Sequence, residues 1–267
     1  MRNMQHLENT IRSLQKVIVA YSGGVDSTLV AYVANKMLGT DALIVLARTE
    51  TITSEDVDLA KTIAQKHGFN FREILYNELE VKNYAANPVN RCFFCKQELY
   101  KRLGEIAEEE NIPHILDGGN VDDLGDYRPG RIAAREYEVR SPLIEAGMTK
   151  SDVRKAAAFY DLPNHDKPAA PCLSSRIPYG IAIDQTSLNM IAQAERYIRQ
   201  KGFRNVRVRH HQTTAKIEVD PSSLEKLRAL YDDIQSHLNT LGYKEVVIDQ
   251  EGFKTGKLNR EIVQHEK

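Results

Sequence analysis

Val17-Ile18-Val19-Ala20-Tyr21-Ser22-Gly23-Gly24-Val25-Asp26-Ser27 carries a short apolar run into a turn of two glycines. Beyond the turn, Val30, Val33, Ala34 and Met37 recur at helical spacing until Gly39 ends the pattern. The stretch reads as strand, loop and helix. A loop in that position offers main-chain N–H groups with no helical partner, and the helix dipole adds partial positive charge, so phosphate oxygens are favoured there. Gly23 and Gly24 allow close approach of the backbone, Ser22 and Ser27 add hydroxyl donors, and Asp26 is a ligand type for magnesium. The loop has no lysine, which separates it from the kinase-type phosphate loop. The stretch from Gly252 to Lys257 imitates that other loop, but only three residues separate its glycines and Leu258 stands where a hydroxyl is required. A bare glycine pair would be only a tight turn; strand, helix, two serines and an aspartate together make it a phosphate site.

Outward from the loop, the alternation continues. A buried-type strand spans 43–47, Thr53 caps a helix with Asp56 three residues on and Gly68 past its end, and a strand fits 69–75. Residues 94–110 have helical composition, and 114–116 form a strand that runs into Asp117-Gly118-Gly119. Thr149 and Asp152 open a further helix, which Pro163 ends. This predicts an α/β fold: a parallel sheet with helices on both faces and ligands beyond the carboxyl ends of its strands. After a loop rich in Pro and Ala, helix over 188–201, strands over 206–210 and 216–219, helix over 224–241 and strand over 245–248 predict a smaller α+β domain. The expected division is 1–172 and 173–267, the break falling near Pro171 to Tyr179.

Composition limits the function classes. Of 267 residues, 36 are Lys or Arg and 37 Asp or Glu, so no overall field favours nucleic acid or a membrane surface, and any anion site is local. No signal-type apolar core or membrane-length run occurs, which predicts a cytoplasmic protein without a membrane partner. In that compartment Cys92, Cys95 and Cys172 call for an explanation other than a structural disulfide. Cys92-Phe93-Phe94-Cys95 sets two thiols one turn apart, and four readings stay open on spacing alone: an iron-sulfur cluster with one unligated iron, zinc completed by His165, a redox dithiol, or inert buried thiols. The densest positive stretch is Arg204 to His211. Strand alternation puts Arg207, Arg209 and His211 on one face, suited to carboxylate or phosphate unless its arginines are simply solvated.

Ser22-Gly23-Gly24-Val25-Asp26-Ser27 resembles the signature of the PP-loop ATP pyrophosphatases, which include GMP synthetase, NAD synthetase and tRNA-thiolating enzymes. The resemblance implies ATP with Mg2+ as cofactors, cleavage between the α and β phosphates, and an adenylated substrate from which a nucleophile displaces AMP. It also implies that Lys150, opening the helix in Met148-Thr149-Lys150-Ser151-Asp152-Val153-Arg154, faces the phosphates. Across nearly the whole chain the sequence is similar to the LarE-type sulfur transferases. The stretches that carry this are Asp117-Gly118-Gly119-Asn120-Val121-Asp122-Asp123, Asp126-Tyr127-Arg128-Pro129-Gly130, Ser141-Pro142-Leu143, and Pro171-Cys172-Leu173-Ser174-Ser175-Arg176-Ile177-Pro178-Tyr179-Gly180. The family converts carboxylates of a pyridinium mononucleotide to thiocarboxylates for the nickel-pincer cofactor. Members with one cysteine surrender its sulfur; members with three are thought to hold a [4Fe-4S] cluster whose free iron binds sulfide, and Cys92, Cys95 and Cys172 resemble the second kind. The same resemblance implies Ser175, Arg176, Glu195, Arg207 and Arg209 around a small anionic substrate, with sulfide or another sulfur donor as partner and a homo-oligomeric state. Glu195, four residues before Arg199, has a plainer reading as half of a surface ion pair. Two other function classes stay open: a tRNA-thiolating or other PP-loop ligase, against which the near-neutral charge weighs, and a non-catalytic nucleotide-binding module.

Overall fold

In the computed structural model, residues 2–125, 129–168, 171–254 and 257 are described. Of the stretches singled out above, Asp126-Tyr127-Arg128 and, in the rejected phosphate-loop imitation, Thr255, Gly256 and Leu258 lie outside the described residues. The described residues form two compact units, one from 2–81 and 90–168, the other from 82–89, 171–254 and 257.

The first unit runs α1 (Arg2–Ser13), β1 (Val17–Tyr21), α2 (Val25–Leu38), β2 (Ala42–Arg48), α3 (Ser54–Lys66), β3 (Asn70–Leu75), α4 (Arg91–Glu109), β4 (His114–Leu116), α5 (Gly130–Glu136), α6 (Pro142–Glu145) and α7 (Lys150–Phe159). Its four strands are parallel in the order β3-β2-β1-β4. Both faces of the sheet are covered, as near-continuous apolar strands require. Val17, Val19, Ile44 and Leu46 pack with α1, α2, α3 and α7, while Ile18, Ala20, Leu43 and Val45 pack on the other side with α4 and α5. Alternate residues of one strand thus feed two cores. The chain leaves β1 toward β2 and later returns to β4 on the other side of β1, which puts the end of β1 at the point where strand order reverses.

The expected caps are present. Thr53 accepts from the Asp56 N–H, and Thr149 and Asp152 form a reciprocal capping box. Gly39 and Gly68 take positive φ, 59° and 62°, at the helix ends, which favours glycine. Three of these helices are missed by the sequence reading: the short α5 and α6, and α1, whose Leu7 and Ile11 are buried at helical spacing with Leu14 buried just past its end.

The second unit contains α8 (Gln185–Gln200), β5 (Val206–His211), β6 (Thr214–Val219), α9 (Leu224–Ala229), α10 (Tyr231–Thr240) and β7 (Glu245–Ile248). β5 and β6 pair antiparallel, β6 and β7 parallel, and one face of this sheet packs Val206, Val208, Ala215, Ile217 and Val246 on the helices. The single helix expected over 224–241 is instead two, interrupted at Leu230 (φ −104°, ψ 9°). Residues 82–89 belong to this unit although no composition shift marks them. Asn87, fully buried, donates from Nδ2 to Pro178 O (2.7 Å) and Ile181 O (2.9 Å), and Tyr84 Oη lies 2.7 Å from Ser174 Oγ. The segment clamps the stretch that begins with Cys172.

Candidate active site

The residues after β1 form a backbone cradle. Gly23 has φ +70°, a region L side chains avoid, and a Cβ there would stand 2.8 Å from the Ala60 Cβ of α3. Only glycine fits. Gly24 is the N-cap of α2 and has no side chain that could occupy the first-turn N–H groups, so those of Val25, Asp26 and Ser27 lack helical partners. Ser22 Oγ and Ser27 Oγ lie 3.0 Å apart, and Ser27 Oγ also accepts from Ser22 N–H at 3.1 Å. From β4, Gly118 passes so close that a Cβ would meet Ser27 N at 2.7 Å. Its neighbour Asp117 accepts from Ser141 Oγ (2.7 Å) and Gly119 N–H (3.0 Å), which fixes that loop.

Asp26, in the first turn of α2, is held on both oxygens. Asn120 Nδ2 donates to Oδ1 at 3.2 Å, and the Lys150 ammonium pairs with Oδ2. Lys150 opens α7, where its own N–H donates to Asp122 Oδ2 at 2.9 Å. The cation that the loop lacks is therefore delivered from 124 residues away in sequence. Amides, two hydroxyls, a carboxylate and an ammonium converge at the carboxyl end of the sheet, a donor set suited to a phosphate with its magnesium.

Cys92 and Cys95 lie one turn apart near the start of α4, Cys92 exposed and Cys95 half-buried. The Cys95 thiol donates to Glu78 Oε1 at 3.0 Å; Glu78, itself buried, accepts from Thr51 Oγ1 on its other oxygen at 2.6 Å. Cys172 precedes the short helix 173–176 of the second unit and is half-buried. Among the described residues no group of three His, Cys, Asp or Glu side chains is gathered as a metal site. His165, the fourth ligand of the zinc reading, has its Nδ1 3.0 Å from Leu162 O in its own turn. The two thiols of α4 stand on one face of one turn, while Cys172 belongs to the second unit.

In the second unit, Arg176 and Glu195 form a two-pronged pair, Nε to Oε1 at 2.8 Å and Nη2 to Oε2 at 3.0 Å. Glu195 is 0% exposed and also accepts from Arg199 Nη2 (2.5 Å) and Val208 N–H (3.0 Å). Burial would raise its pKa, but the charge and hydrogen bonds of Arg176, then Arg199 and Arg207, hold it below the ordinary carboxylate range. The surface ion pair considered from sequence is thereby corrected: the Arg199 contact exists, yet the carboxylate is in the interior and covers a donor on the edge of β5. Solvated arginines are likewise not what the strand shows. Val206 and Val208 face the core, so Arg207 and Arg209 share the other face with His211. Arg207 is buried, and burial followed by the charge of Arg176 pushes it down to about 10, Glu195 opposing. Arg209 donates to Ser175 O and to Glu218 Oε2, each at 2.8 Å. Arg176, Arg209, His211, Lys216 and Lys257 line a cleft of about 90 Å³ in which, among the described residues, Glu218 is the one acidic wall residue.

Residues 3–91 match the NAD synthase family. Over 96% of this chain and 97% of the other, the sequence is 42% identical to an uncharacterised protein of Synechocystis. It is 36% identical, over 93% of this chain and 91% of that one, to the pyridinium-3,5-bisthiocarboxylic acid mononucleotide synthase of Lactiplantibacillus plantarum. The cytoplasmic tRNA 2-thiolation protein 1 of Anopheles gambiae is 32% identical over only 45% of this chain. The chain belongs to the LarE-type family of PP-loop enzymes. It is an ATP-dependent sulfur-transferring enzyme. No helix among the described residues is long and apolar enough to cross a membrane.

In this LarE-type chain the residues singled out from the sequence fall into two groups. Ser22 to Ser27 and Lys150 come together in the first unit; Ser175, Arg176, Glu195, Arg207 and Arg209 come together in the second. Three residues escaped the sequence reading. Asn120, which holds Asp26, carries no mark of that role in the residues around it. Glu78, beneath Cys95, and Asn164, whose Nδ2 donates to Gly23 O at 2.9 Å, have no local signature at all.

Proposed function

We propose that this enzyme adenylates a carboxylate of a pyridinium-dicarboxylate mononucleotide and converts it to a thiocarboxylate, the step that supplies a nickel-pincer cofactor. The observation that carries the reading is the glycine cradle at the switch point, whose own Asp26 carboxylate is met by the Lys150 ammonium from a distant part of the chain. In this reading Ser22, Gly23, Gly24, Val25, Asp26 and Ser27 hold the β and γ phosphates of ATP, Asp26 takes magnesium, and Lys150 turns from Asp26 toward the phosphate oxygens. The substrate carboxylate attacks the α phosphorus, the bond to the bridging oxygen breaks, and pyrophosphate leaves into the cradle. A sulfur nucleophile then attacks the activated carbonyl and AMP departs. Amides and Lys150 offset the charge that develops on phosphate oxygens.

The cationic face of β5 suits a substrate with two carboxylates and a phosphate, since guanidinium groups bind both in two-pronged fashion. Arg209 and Ser175 contact it in this reading, while Arg176, Glu195 and Arg207 hold the face in shape. Cys92, Cys95 and Cys172 would hold a [4Fe-4S] cluster, which supplies one iron without a protein thiol as the place for sulfide. The likeness of Cys92, Cys95 and Cys172 to the three-cysteine members of the family supports this reading.

The test is product identity. With magnesium-ATP and the mononucleotide, the chain is expected to release AMP and pyrophosphate, and Asp26→Ala to slow pyrophosphate release by about 10²–10³-fold. Release of ADP and phosphate, or an unimpaired Asp26→Ala, would overturn the reading; tRNA that co-purifies and is thiolated would replace the substrate. Anaerobic iron and sulfide analysis decides the metal centre.

A further inference from the structure

Asn164 belongs to the turn after α7 and is 1% exposed. Its Nδ2 donates to Gly23 O at 2.9 Å and to Thr28 Oγ1 at 2.8 Å, while its Oδ1 is buried with no hydrogen-bond partner. The orientation of this amide is forced. Turned over, its oxygen would face the Gly23 carbonyl, which can only accept. The turn that carries it is itself held: Arg154 donates to His165 O and Lys167 O, each at 2.8 Å, and Lys167 pairs with Asp56 of α3 at 2.8 Å. A buried acceptor left without a donor lowers stability, so the NH2 group must be there for a contact that a smaller apolar residue could not make.

The consequence follows from peptide geometry. In a trans peptide the C=O of one residue and the N–H of the next point in opposite directions. Gly23, with φ +70° and no Cβ, is the residue least able to hold its own peptide planes. By fastening the Gly23 carbonyl to one side, Asn164 aims the Gly24 N–H to the other, where Ser22 Oγ stands 3.4 Å away and Ser27 Oγ lies beside it. Were this peptide to flip, a carbonyl oxygen would stand where an anion is to bind. We infer that Asn164 is a positioning residue that locks the Gly23–Gly24 peptide with its N–H toward the bound diphosphate. The inference rests on the reading that this loop takes pyrophosphate; Asn164 itself touches no ligand.

The experiment is calorimetric titration of the full chain with magnesium pyrophosphate. Asn164→Asp keeps size and shape but cannot donate to Gly23 O, and is expected to weaken binding at least tenfold. Thr28→Val removes the other acceptor of the same NH2 group and is expected to bind within threefold of the parent protein. Parent protein that ignores pyrophosphate would sink the loop reading itself. Parent-like affinity in Asn164→Asp, or an equal loss in Thr28→Val, would overturn the positioning role alone. Should Asn164→Asp not fold, nitrogen-15 spectra of the parent protein decide. The Asn164 side-chain NH2 should be protected from exchange before ligand is added, and the Gly24 amide should shift on titration. An Asn164 NH2 that exchanges freely, or a Gly24 signal that stays still, would overturn it.

Discussion

Glu195 shows how much one charge can be asked to hold. Its two oxygens receive four donors: two from Arg176, one from Arg199 and the N–H of Val208. With Arg207 also buried beside it, the carboxylate neutralises a cluster that would otherwise repel itself. Glu195→Gln keeps the shape and removes the charge, so urea unfolding should report a loss of about 3–5 kcal/mol, the usual cost of breaking a buried ion pair. The pH dependence has a definite sign. Because the folded-state pKa is depressed, the contribution is complete above the unfolded value and is lost as pH falls through the folded one. The gap between parent and Glu195→Gln should therefore be constant from about pH 5 to neutrality and close only in more acidic solution. A gap that widened on acidification would refute the assignment. Little of this is readable in the sequence: a Glu four residues before an Arg looks the same on a surface helix, and only the third dimension supplies Arg176.

Between elements, legibility depends on whether the signal is local. The first loop is readable because its work is done by main chain and glycine, which leave a mark in consecutive residues. Two helix errors have a physical origin. Leu224, Leu227, Leu230, Ile234, Leu238 and Leu241 all pack on one core, so the apolar period runs unbroken through the stop at Leu230 that separates α9 from α10. The stripe of Leu7 and Ile11 in α1, continued by Leu14 just past its end, is narrow, and charged residues between its members hide it. The approach of β4 to α2 is equally non-local, and it makes a prediction. A methyl group at Gly118 would press on the backbone at Ser27 (2.7 Å from N, 3.0 Å from Cα), where no side chain can move aside. Gly118→Ala should cost about 1–3 kcal/mol in stability and raise KM for ATP about tenfold or more, because the shifted atoms are those of the phosphate cradle. An unchanged KM would mean that the start of α2 does not form the binding surface.

For the whole molecule, chain order and unit membership differ. The polypeptide enters the second unit at 82–89, returns to the first at 90, and reaches Cys92 two residues later, while Cys172 comes only after the first unit is complete. A contiguous division of the sequence does not register such an excursion, since eight residues of ordinary composition carry no periodic signal. Its hold on the second unit is specific. Asn87 has φ +54° and no exposure, and its amide serves Pro178 O and Ile181 O while its own carbonyl accepts from Gly180 N–H at 2.9 Å. Asn87→Gly removes the amide but suits the left-handed backbone; Asn87→Ala removes the amide and adds strain. Leaving the two carbonyls without donors should cost about 1–3 kcal/mol, with about 1 kcal/mol more in the alanine variant. The loss should be seen as faster hydrogen exchange at the Gly180 and Ile183 amides, which bond to Asn87 O and Ala85 O, in the order Ala, Gly, parent. Because Cys172 opens the clamped stretch, the same variants should retain less iron per chain after anaerobic reconstitution if the three thiols share one centre. Parent-like exchange at both amides in the alanine variant would show that the clamp contributes nothing, and parent-like iron alongside faster exchange would show that Cys172 does not depend on it.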